Sequence, residues 1–205
     1  MKVLDKKELL KEVREEIKKY PLKEACEGIF SLGEFDNSGD LVIALHPYFA
    51  CEYEVDEEIN CPLNYHENME TFLANYNGPV ITLEDTENLG KTLNKFFKRE
   101  NKGSRIIIPT PPHYPDPLIG WGSFINFVNT FKKDKKLIGG YLHCSYSTPG
   151  CLGRTAQIFK KSGINFEFKL DLIYPVYPNG SEEQIKELLF TNLNRIKLEE
   201  RIVSL

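Results

Sequence analysis

The chain has 205 residues, enough for one domain with a sizeable hydrophobic core. Its formal net charge is −4, and no basic cluster alternates with aromatic residues, which argues against a nucleic-acid-binding surface. No apolar run approaches the ~18 residues that a membrane-spanning helix needs, and five cysteines, an odd number, fit no compact disulfide framework.

The first 38 residues are predicted to form a helical extension. Residues 5–20 read as a helix because Asp5 and Glu8 form a capping box ahead of an apolar stripe at Leu9, Leu10, Val13 and Ile17. Residues 22–31 resemble a second short helix that ends at Gly33. The charged first twenty residues do not have the pattern of a signal peptide, so we expect a reduced, cytoplasmic protein.

From residue 41 onward, short apolar strands alternate with helices. The predicted strands are Leu41–Leu45, Pro79–Leu83, Arg105–Ile108, Leu137–Leu142 and Ile164–Tyr174, and the predicted helices are 65–76, 86–100, 121–132, 149–162 and 181–200. Continuous apolar strands joined by helices are typical of a parallel sheet covered on both faces. We therefore predict one α/β domain over residues 1–205. It has three α/β/α layers, a mostly parallel sheet of about five strands over a 39–180 core, and a C-terminal helix at 181–205.

Reactive side chains follow the predicted strands, at the edge where open α/β sheets bind ligands. In chain order, the residues after the strands are His46 and Tyr48; Glu84 and Asp85; Thr110, His113, Tyr114 and Asp116; and His143, Cys144 and Cys151. Three of the four histidines thus fall at strand ends. The sequence therefore predicts a site at this edge.

A cysteine nucleophile is the first chemistry that this pattern allows. Cys151 falls in the first turn of a helix, where unpaired N–H groups and the helix dipole lower the pKa of a thiol. Cys144 is the alternative nucleophile. His46, His113 or His143 could act as base, and Glu84 or Asp85 could orient it. The structural alternative is that Cys151 is a small buried apolar residue.

A metal site is the second chemistry. His46, His113 and His143, with a carboxylate from Asp116, Glu84 or Asp85, could hold zinc and leave one position open. No two of these histidines stand at short ligand spacing, so we assign no metal ligands and name zinc only as an alternative to a cofactor-free site.

The proline-rich loop PTPPHYPDP, residues 109–117, could shape the mouth of a pocket. Tyr114 and Trp121 would then be apolar walls, and Tyr48 and His113 would also contact the substrate. The same loop could instead bind a partner protein.

The stretch Cys151-Leu152-Gly153-Arg154-Thr155-Ala156, with Gly163 ahead of the next strand, resembles the isochorismatase-like cysteine hydrolases, which include nicotinamidases. The strand LVIALHPYF stands where that family has its first, Asp-containing strand. The resemblance implies the α/β fold over roughly residues 40–175 and a role for Cys151 as the nucleophile that forms an acyl intermediate. Aligned on Phe49, the family's Asp and Gln are Ala44 and His46 here, and the loop after the third strand has no lysine.

Three functions follow as hypotheses. The first is hydrolysis of a small molecule by a cysteine nucleophile. The second is a non-catalytic isochorismatase-like domain that binds a small ligand or a protein partner. The third is a metal-dependent hydrolase that uses the strand-end histidines. A homo-oligomer is a further expectation, because the last helix carries an apolar stripe, Ile185, Leu189, Leu193 and Ile196, that could cover a partner or the chain's own sheet.

Overall fold

A computed structural model describes residues 5–36, 39–48, 65–97, 103–112, 114–131, 135–138, 141–142, 144–145, 148–169 and 172–175. The helices in this part of the chain are α1 (Lys6–Ile17), α2 (Tyr65–Asn75), α3 (Leu89–Phe96), α4 (Trp121–Val128) and α5 (Cys151–Lys161). The strands are β1 (Lys23–Cys26), β2 (Ile29–Leu32), β3 (Leu41–Leu45), β4 (Val80–Asp85), β5 (Arg105–Thr110), β6 (Lys135–Ile138), β7 (Tyr141–Leu142), β8 (Cys144–Ser145), β9 (Thr148–Pro149), β10 (Phe166–Lys169) and β11 (Tyr174–Pro175).

The chain has an α/β fold around a mixed sheet. The predicted α/β class is therefore confirmed. The strand order of the main sheet is β1-β2-β5-β4-β3-β6-β10. The first two pairings, β1 with β2 and β2 with β5, are antiparallel. The pairings β5–β4, β4–β3, β3–β6 and β6–β10 are parallel. The carboxyl ends of β3, β4 and β5 therefore meet at one edge, which is where the site is assembled.

The prediction of a helix over residues 22–31 is wrong, because these residues form the hairpin β1–β2 at the edge of the main sheet. Gly28 in the two-residue turn has φ +73°, a left-handed conformation that a helix does not use and that glycine adopts without strain. Its N–H also donates to Oε1 of Glu24, at 3.2 Å. The short apolar run Ile29–Leu32 then pairs with β5, so tertiary pairing overrides a weak helical pattern.

Further boundaries differ from the prediction. The fifth strand, predicted over Ile164–Tyr174, is limited to β10 (Phe166–Lys169) in the main sheet, because Tyr174 belongs to β11, which pairs with β7 in a separate sheet. The fourth predicted strand begins at Lys135 rather than Leu137, since the backbone of β6 pairs with a parallel neighbour on each side. The helix predicted over residues 86–100 begins later: α3 starts at Leu89, its N-cap is Asn88, and the side chain of Asn88 does not cap it.

The core consists of two hydrophobic clusters made by alternate residues of the strands, which point to opposite faces of the sheet. Leu41, Ile43 and Leu45 join one cluster with Phe124 of α4 and Phe159 of α5. The other cluster joins Val42 and Ala44 of β3 with apolar residues of α1, α2 and α3, among them Val13, Met69 and Leu93. The α1 stripe is buried at Leu10, Val13 and Ile17, and the predicted capping box is present at Asp5 and Glu8. Alternate residues of β3 thus belong to different clusters.

Among the described residues, no helix is long and apolar enough to cross a membrane. The predicted C-terminal helix and its apolar stripe lie outside the described residues, so the homo-oligomer stays a prediction.

Candidate functional site

Three side chains meet where β3, β5 and α5 converge. The Sγ atom of Cys151, the first residue of α5, lies 3.5 Å from Nδ1 of His46. The other ring nitrogen of His46, Nε2, lies 3.1 Å from Oγ1 of Thr110, the last residue of β5. A thiol, an imidazole and a hydroxyl group that orients the imidazole form the arrangement of an activated nucleophile.

His46 owes its position to a tight turn at the end of β3. Its backbone is left-handed, with φ +44°, which costs a residue other than glycine on the order of 1–3 kcal/mol. Two contacts with the end of β4 hold the turn: the N–H of His46 donates to the carbonyl of Leu83 at 2.7 Å, and the N–H of Tyr48 donates to Oε2 of Glu84 at 3.2 Å. The imidazole is 2 % exposed, so the turn aims it inward, beneath the partly exposed Cys151.

The thiol and the imidazole are both neutral at rest. Burial lowers the pKa of His46 to about 4. Burial also raises the pKa of the Cys151 thiol to about 12, and the carboxylates Glu84, Asp85 and Asp116 act in the same direction. A backbone hydrogen bond in the first turn of α5 acts to lower this pKa, as expected of a helix N-terminus, but the loss of solvation outweighs it. We assign the proton of the imidazole to Nε2, which donates to Thr110, and leave Nδ1 to accept from the thiol.

The N-terminus of α5 offers hydrogen-bond donors beside the thiol. The N-cap is Gly150, which has no side chain to cap the first turn. The N–H groups of the first turn have no carbonyl partner within a helix, so they point out of its N-terminus. The hydroxyl of Thr155 donates to the carbonyl of Cys151 at 2.9 Å and fixes the turn. These N–H groups can stabilise negative charge that develops on a substrate oxygen.

Glu84 is a buried carboxyl group at the same edge. It is 0 % exposed and accepts three hydrogen bonds. The donors are the hydroxyl of Thr92 at 2.6 Å, the backbone N–H of Asp85 at 2.9 Å, and the backbone N–H of Tyr48. Burial raises the pKa of Glu84 to about 7, and these donors offset only part of that effect. Glu84 therefore connects the turn that carries His46 to α3, and it titrates near neutral pH.

The raised pKa of Glu84 predicts that the free energy of unfolding depends on pH. Its pKa is about 7 in the folded chain against an ordinary 4.5, so the folded state binds more protons than the unfolded state in this range. Raising the pH from 4.5 to 7 should therefore lower the free energy of unfolding by about 3 kcal/mol through this group. His46, whose pKa falls from 6.5 to about 4, acts in the opposite direction, with stability lost as the pH falls through this range.

The substitution Glu84→Gln separates the contribution of Glu84 to the pH dependence of stability from that of His46. Relative to the wild type, this variant should gain stability steadily between pH 4.5 and 8, measured by urea denaturation at several pH values. Glu27→Gln, at an exposed position, should run parallel to the wild type. If the Glu84→Gln curve is also parallel, the carboxyl group does not titrate as described.

The proline-rich loop is tied to the helices by Asp116. Its Oδ1 accepts from Nε1 of Trp121 at 2.5 Å and pairs with the guanidinium of Arg154 at 2.8 Å. Trp121 also packs edge-on against Phe124, so it belongs to the margin of the core and holds the loop. Its predicted role as a pocket wall has no support from these contacts.

A cavity of about 840 Å³ lies between α1, α3 and the proline-rich loop. Tyr114, which is 61 % exposed, lines it together with Pro111 and Pro112. Neither Cys151 nor His46, which together form the candidate dyad, is among its lining residues. The cavity therefore does not contain the dyad.

The remaining predicted residues divide into two groups. Tyr48 is half-buried against the hydrophobic cluster that joins β3 with α1, α2 and α3. The ammonium of Lys91 lies 5.2 Å from the centroid of its ring. His113 and His143 lie outside the described residues, as does the side chain of Cys144, whose backbone forms β8. In the part of the chain that the structure describes, no group of three His, Cys, Asp or Glu side chains could hold a metal ion.

Gly150 is a member of the site that sequence reasoning missed. It carries the signal of an uncapped helix start directly ahead of a cysteine. Thr110 was expected among the residues at the end of the third strand, but its contact with His46 depends on the facing strands and has no local sequence signal.

Comparison with family models found no match for this chain. Comparisons with curated proteins and with solved structures likewise found no significant similarity. The function therefore has to be argued from the site itself.

Proposed function

We propose that this protein hydrolyses a small molecule through Cys151, with His46 as its general base. The observation that carries the proposal is the 3.5 Å approach of Sγ of Cys151 to Nδ1 of His46, with Thr110 on the other ring nitrogen. A merely packed cysteine does not need a buried imidazole held in a strained turn. Such strain at a reactive pair is a feature of functional sites.

In the first step, Sγ attacks the carbonyl carbon of an ester, thioester or amide. Nδ1 of His46 takes the thiol proton as the S–C bond forms, so no free thiolate is required. The carbonyl oxygen carries the negative charge and lies toward the first turn of α5. The imidazolium that forms is stabilised by Thr110 and by the nearby carboxylates, and it gives its proton to the leaving group as the C–X bond breaks.

In the second step, water attacks the thioester. Nδ1 accepts a proton from the water, the C–S bond breaks, and the proton returns to the sulfur. Because the resting thiol and imidazole are neutral, base-assisted attack suits this site better than a stable thiolate–imidazolium pair.

An acyl intermediate tests the proposal. Incubation with p-nitrophenyl acetate should release nitrophenol in a burst of one equivalent, and mass spectrometry should find one acetyl group on the peptide that contains Cys151. In His46→Ala the burst of nitrophenol should be slower, because attack on the ester loses its base, and the acyl group that does form should also be released more slowly, because the attacking water loses the same base. If the acetyl group is instead found on Cys26, which is exposed on β1, the assignment of the nucleophile is wrong.

A second candidate is a non-catalytic domain that binds a small ligand or a protein partner. The observation in its favour is that Cys151 does not line the 840 Å³ cavity. Burial also raises the pKa of its thiol to about 12, which disfavours a thiolate at neutral pH. Iodoacetamide should then label Cys151 more slowly than a free model thiol. Slow labelling together with no acyl intermediate would favour this candidate.

We also infer that the architecture has three layers around a mostly parallel sheet, and that the chain is isochorismatase-like. Support comes from the clusters on both faces of the sheet and from the position of Cys151 at the start of a helix. Ala44, at the position of that family's Asp, packs in the α1–α3 cluster. If the inference holds, His46 has replaced the family's carboxylate as the group that activates the thiol.

A further inference from the structure

The strained turn that carries His46 is held by the end of β4. Because His46 has φ +44°, its backbone needs contacts that keep it in this conformation. The N–H of His46 donates to the carbonyl of Leu83 at 2.7 Å. The N–H of Tyr48 donates to Oε2 of Glu84 at 3.2 Å. The second contact is made by a side chain, so a substitution at Glu84 can remove it without altering the backbone of β4.

The Glu84 carboxyl group is itself held from α3. The hydroxyl of Thr92 donates to Oε2 at 2.6 Å, and this is the same oxygen that accepts from Tyr48. The backbone N–H of Asp85 donates to the other oxygen, Oε1, at 2.9 Å. A side chain of α3 is thus connected to the turn through one carboxyl oxygen. Glu84 and Thr92 are both 0 % exposed, so they act through His46 and do not touch the substrate.

The hydrogen-bond partners of Glu84 suit a carboxylate better than a neutral acid. Its three described partners all donate, and hydrogen bonds to an ionised acceptor are stronger than those to a neutral one. Burial opposes ionisation and raises the pKa of Glu84 to about 7, so the ionised form lowers the stability of the fold. A buried carboxyl group that lowers stability beside a reactive pair is typical of a functional position.

We propose that Glu84 is a positioning residue for His46: its carboxylate, held by Thr92, fixes the turn that aims the imidazole at Sγ of Cys151. The inference rests on the proposed function, in which His46 is the base. The ionised form holds the turn more firmly through its stronger hydrogen bond with the N–H of Tyr48. The dyad should therefore react faster when Glu84 is ionised.

The charged and titratable groups described around Glu84 lie on its own strand, on the turn, on α5 and on α3. Asp85 adjoins it on β4, and the charge of Asp85 raises the pKa of Glu84. His46 has a pKa of about 4 and Cys151 a pKa of about 12, so both members of the dyad stay neutral between pH 6 and 8. On α3, the ammonium of Lys91 lies over the aromatic ring of the turn. The variant Glu84→Gln shows whether a change in this pH range comes from Glu84.

The coupling is tested first without catalysis, by NMR of the histidine ring nitrogens. The resonances of His46 are identified by their loss in His46→Ala. In the wild type they should shift with a midpoint near pH 7, and in Glu84→Gln this step should be absent. In Thr92→Val the midpoint should move to a higher pH, because a donor that lowers the pKa of Glu84 is lost. Thr130→Val, at an exposed position after α4, should match the wild type. Resonances of His46 that stay constant around pH 7 in the wild type would overturn the proposal.

Acylation then tests the effect on the dyad, through the rate constant of the nitrophenol burst from p-nitrophenyl acetate. In the wild type this rate constant should rise several-fold through pH 7. In Glu84→Gln it should be on the order of 10–100-fold lower at pH 8 and should not rise through pH 7. Because this variant is expected to be more stable than the wild type at pH 8, a loss of activity there does not come from a loss of folding.

The outcomes separate this proposal from the proposed function. A burst in Glu84→Gln as fast as in the wild type, with acetyl on Cys151 in both, would overturn the positioning role and leave the nucleophile in place. No burst in the wild type, with His46 resonances that still follow Glu84, would count against the proposed function while supporting the control of His46 by Glu84.

Discussion

Replacing Cys151 by alanine is expected to lower kcat/KM for the preferred ester by on the order of 10³-fold or more, because it removes the group proposed to form the acyl intermediate. Sγ of Cys151 lies 3.5 Å from Nδ1 of His46. Alanine has neither the sulfur nucleophile nor the thiol proton that the imidazole would accept. The change removes one partly buried sulfur atom from the first turn of α5, so the variant should fold. Steady-state kinetics on purified protein, with unfolding curves recorded alongside, would measure both effects.

The controls use the second described cysteine and the base. Cys26→Ala removes an exposed thiol on the edge strand β1 and should leave kcat/KM unchanged. His46→Ala should lower kcat/KM by about 10²–10⁴-fold, the usual contribution of a general base. Equal activity of the wild type and Cys151→Ala would end the covalent mechanism, and full activity of His46→Ala would assign the base to another group.

Much of the arrangement of the site was predictable because its signals are local. Apolar runs such as Leu41–Leu45 mark strands, and the residue after such a run falls at the edge of the sheet where ligands bind. The helix predicted from residue 149 begins at Cys151, because Thr148–Pro149 forms the short strand β9, but the cysteine still falls in the first turn as expected. Those two local rules are enough to bring His46 and Cys151 into one list of candidates.

The chemistry of the site was not predictable, because it depends on burial and on partners that are distant in the sequence. Cys151 and His46 are 105 residues apart, and Thr110 is 64 residues from His46. A helix N-terminus alone suggests a reactive thiolate, whereas the folded environment raises the pKa of the thiol. The left-handed turn at His46 has no sequence signal, since glycine would be expected there.

The hairpin β1–β2 shows the same limit for the fold. Its strands are four residues each, too short for periodicity to distinguish them from a helix. Their pairing is decided by β5, about 75 residues further along the chain, whose free edge needs a partner. Only the glycine in the turn gave a local indication.

Arg105 is a buried cation on which the opposite end of the sheet depends. It is 0 % exposed and donates to four carbonyl groups: Nη1 to Gly78 at 3.0 Å and Ser104 at 3.1 Å, and Nη2 to Leu73 at 2.7 Å and Tyr76 at 2.5 Å. Burial lowers its pKa to about 10, still high enough to keep the charge at neutral pH. The guanidinium thus closes the C-terminal end of α2, where the last carbonyl groups of a helix lack partners.

Arg105→Met should lower the free energy of unfolding by about 3 kcal/mol, measured by urea denaturation at pH 7. Methionine fills most of the space, but it removes the guanidinium donor from the carbonyls of Leu73, Tyr76 and Gly78, and an unsatisfied buried group costs about 1–3 kcal/mol. The carbonyl of Ser104 still accepts from the N–H of Val80, at 3.0 Å. Relief from burying a charge offsets part of that loss. Arg14→Met, which removes a half-exposed pair with Glu24, should change stability by less than about 1 kcal/mol. Equal effects of the two substitutions would mean that desolvation of the guanidinium cancels its hydrogen bonds, and that α2 is held by its apolar face alone.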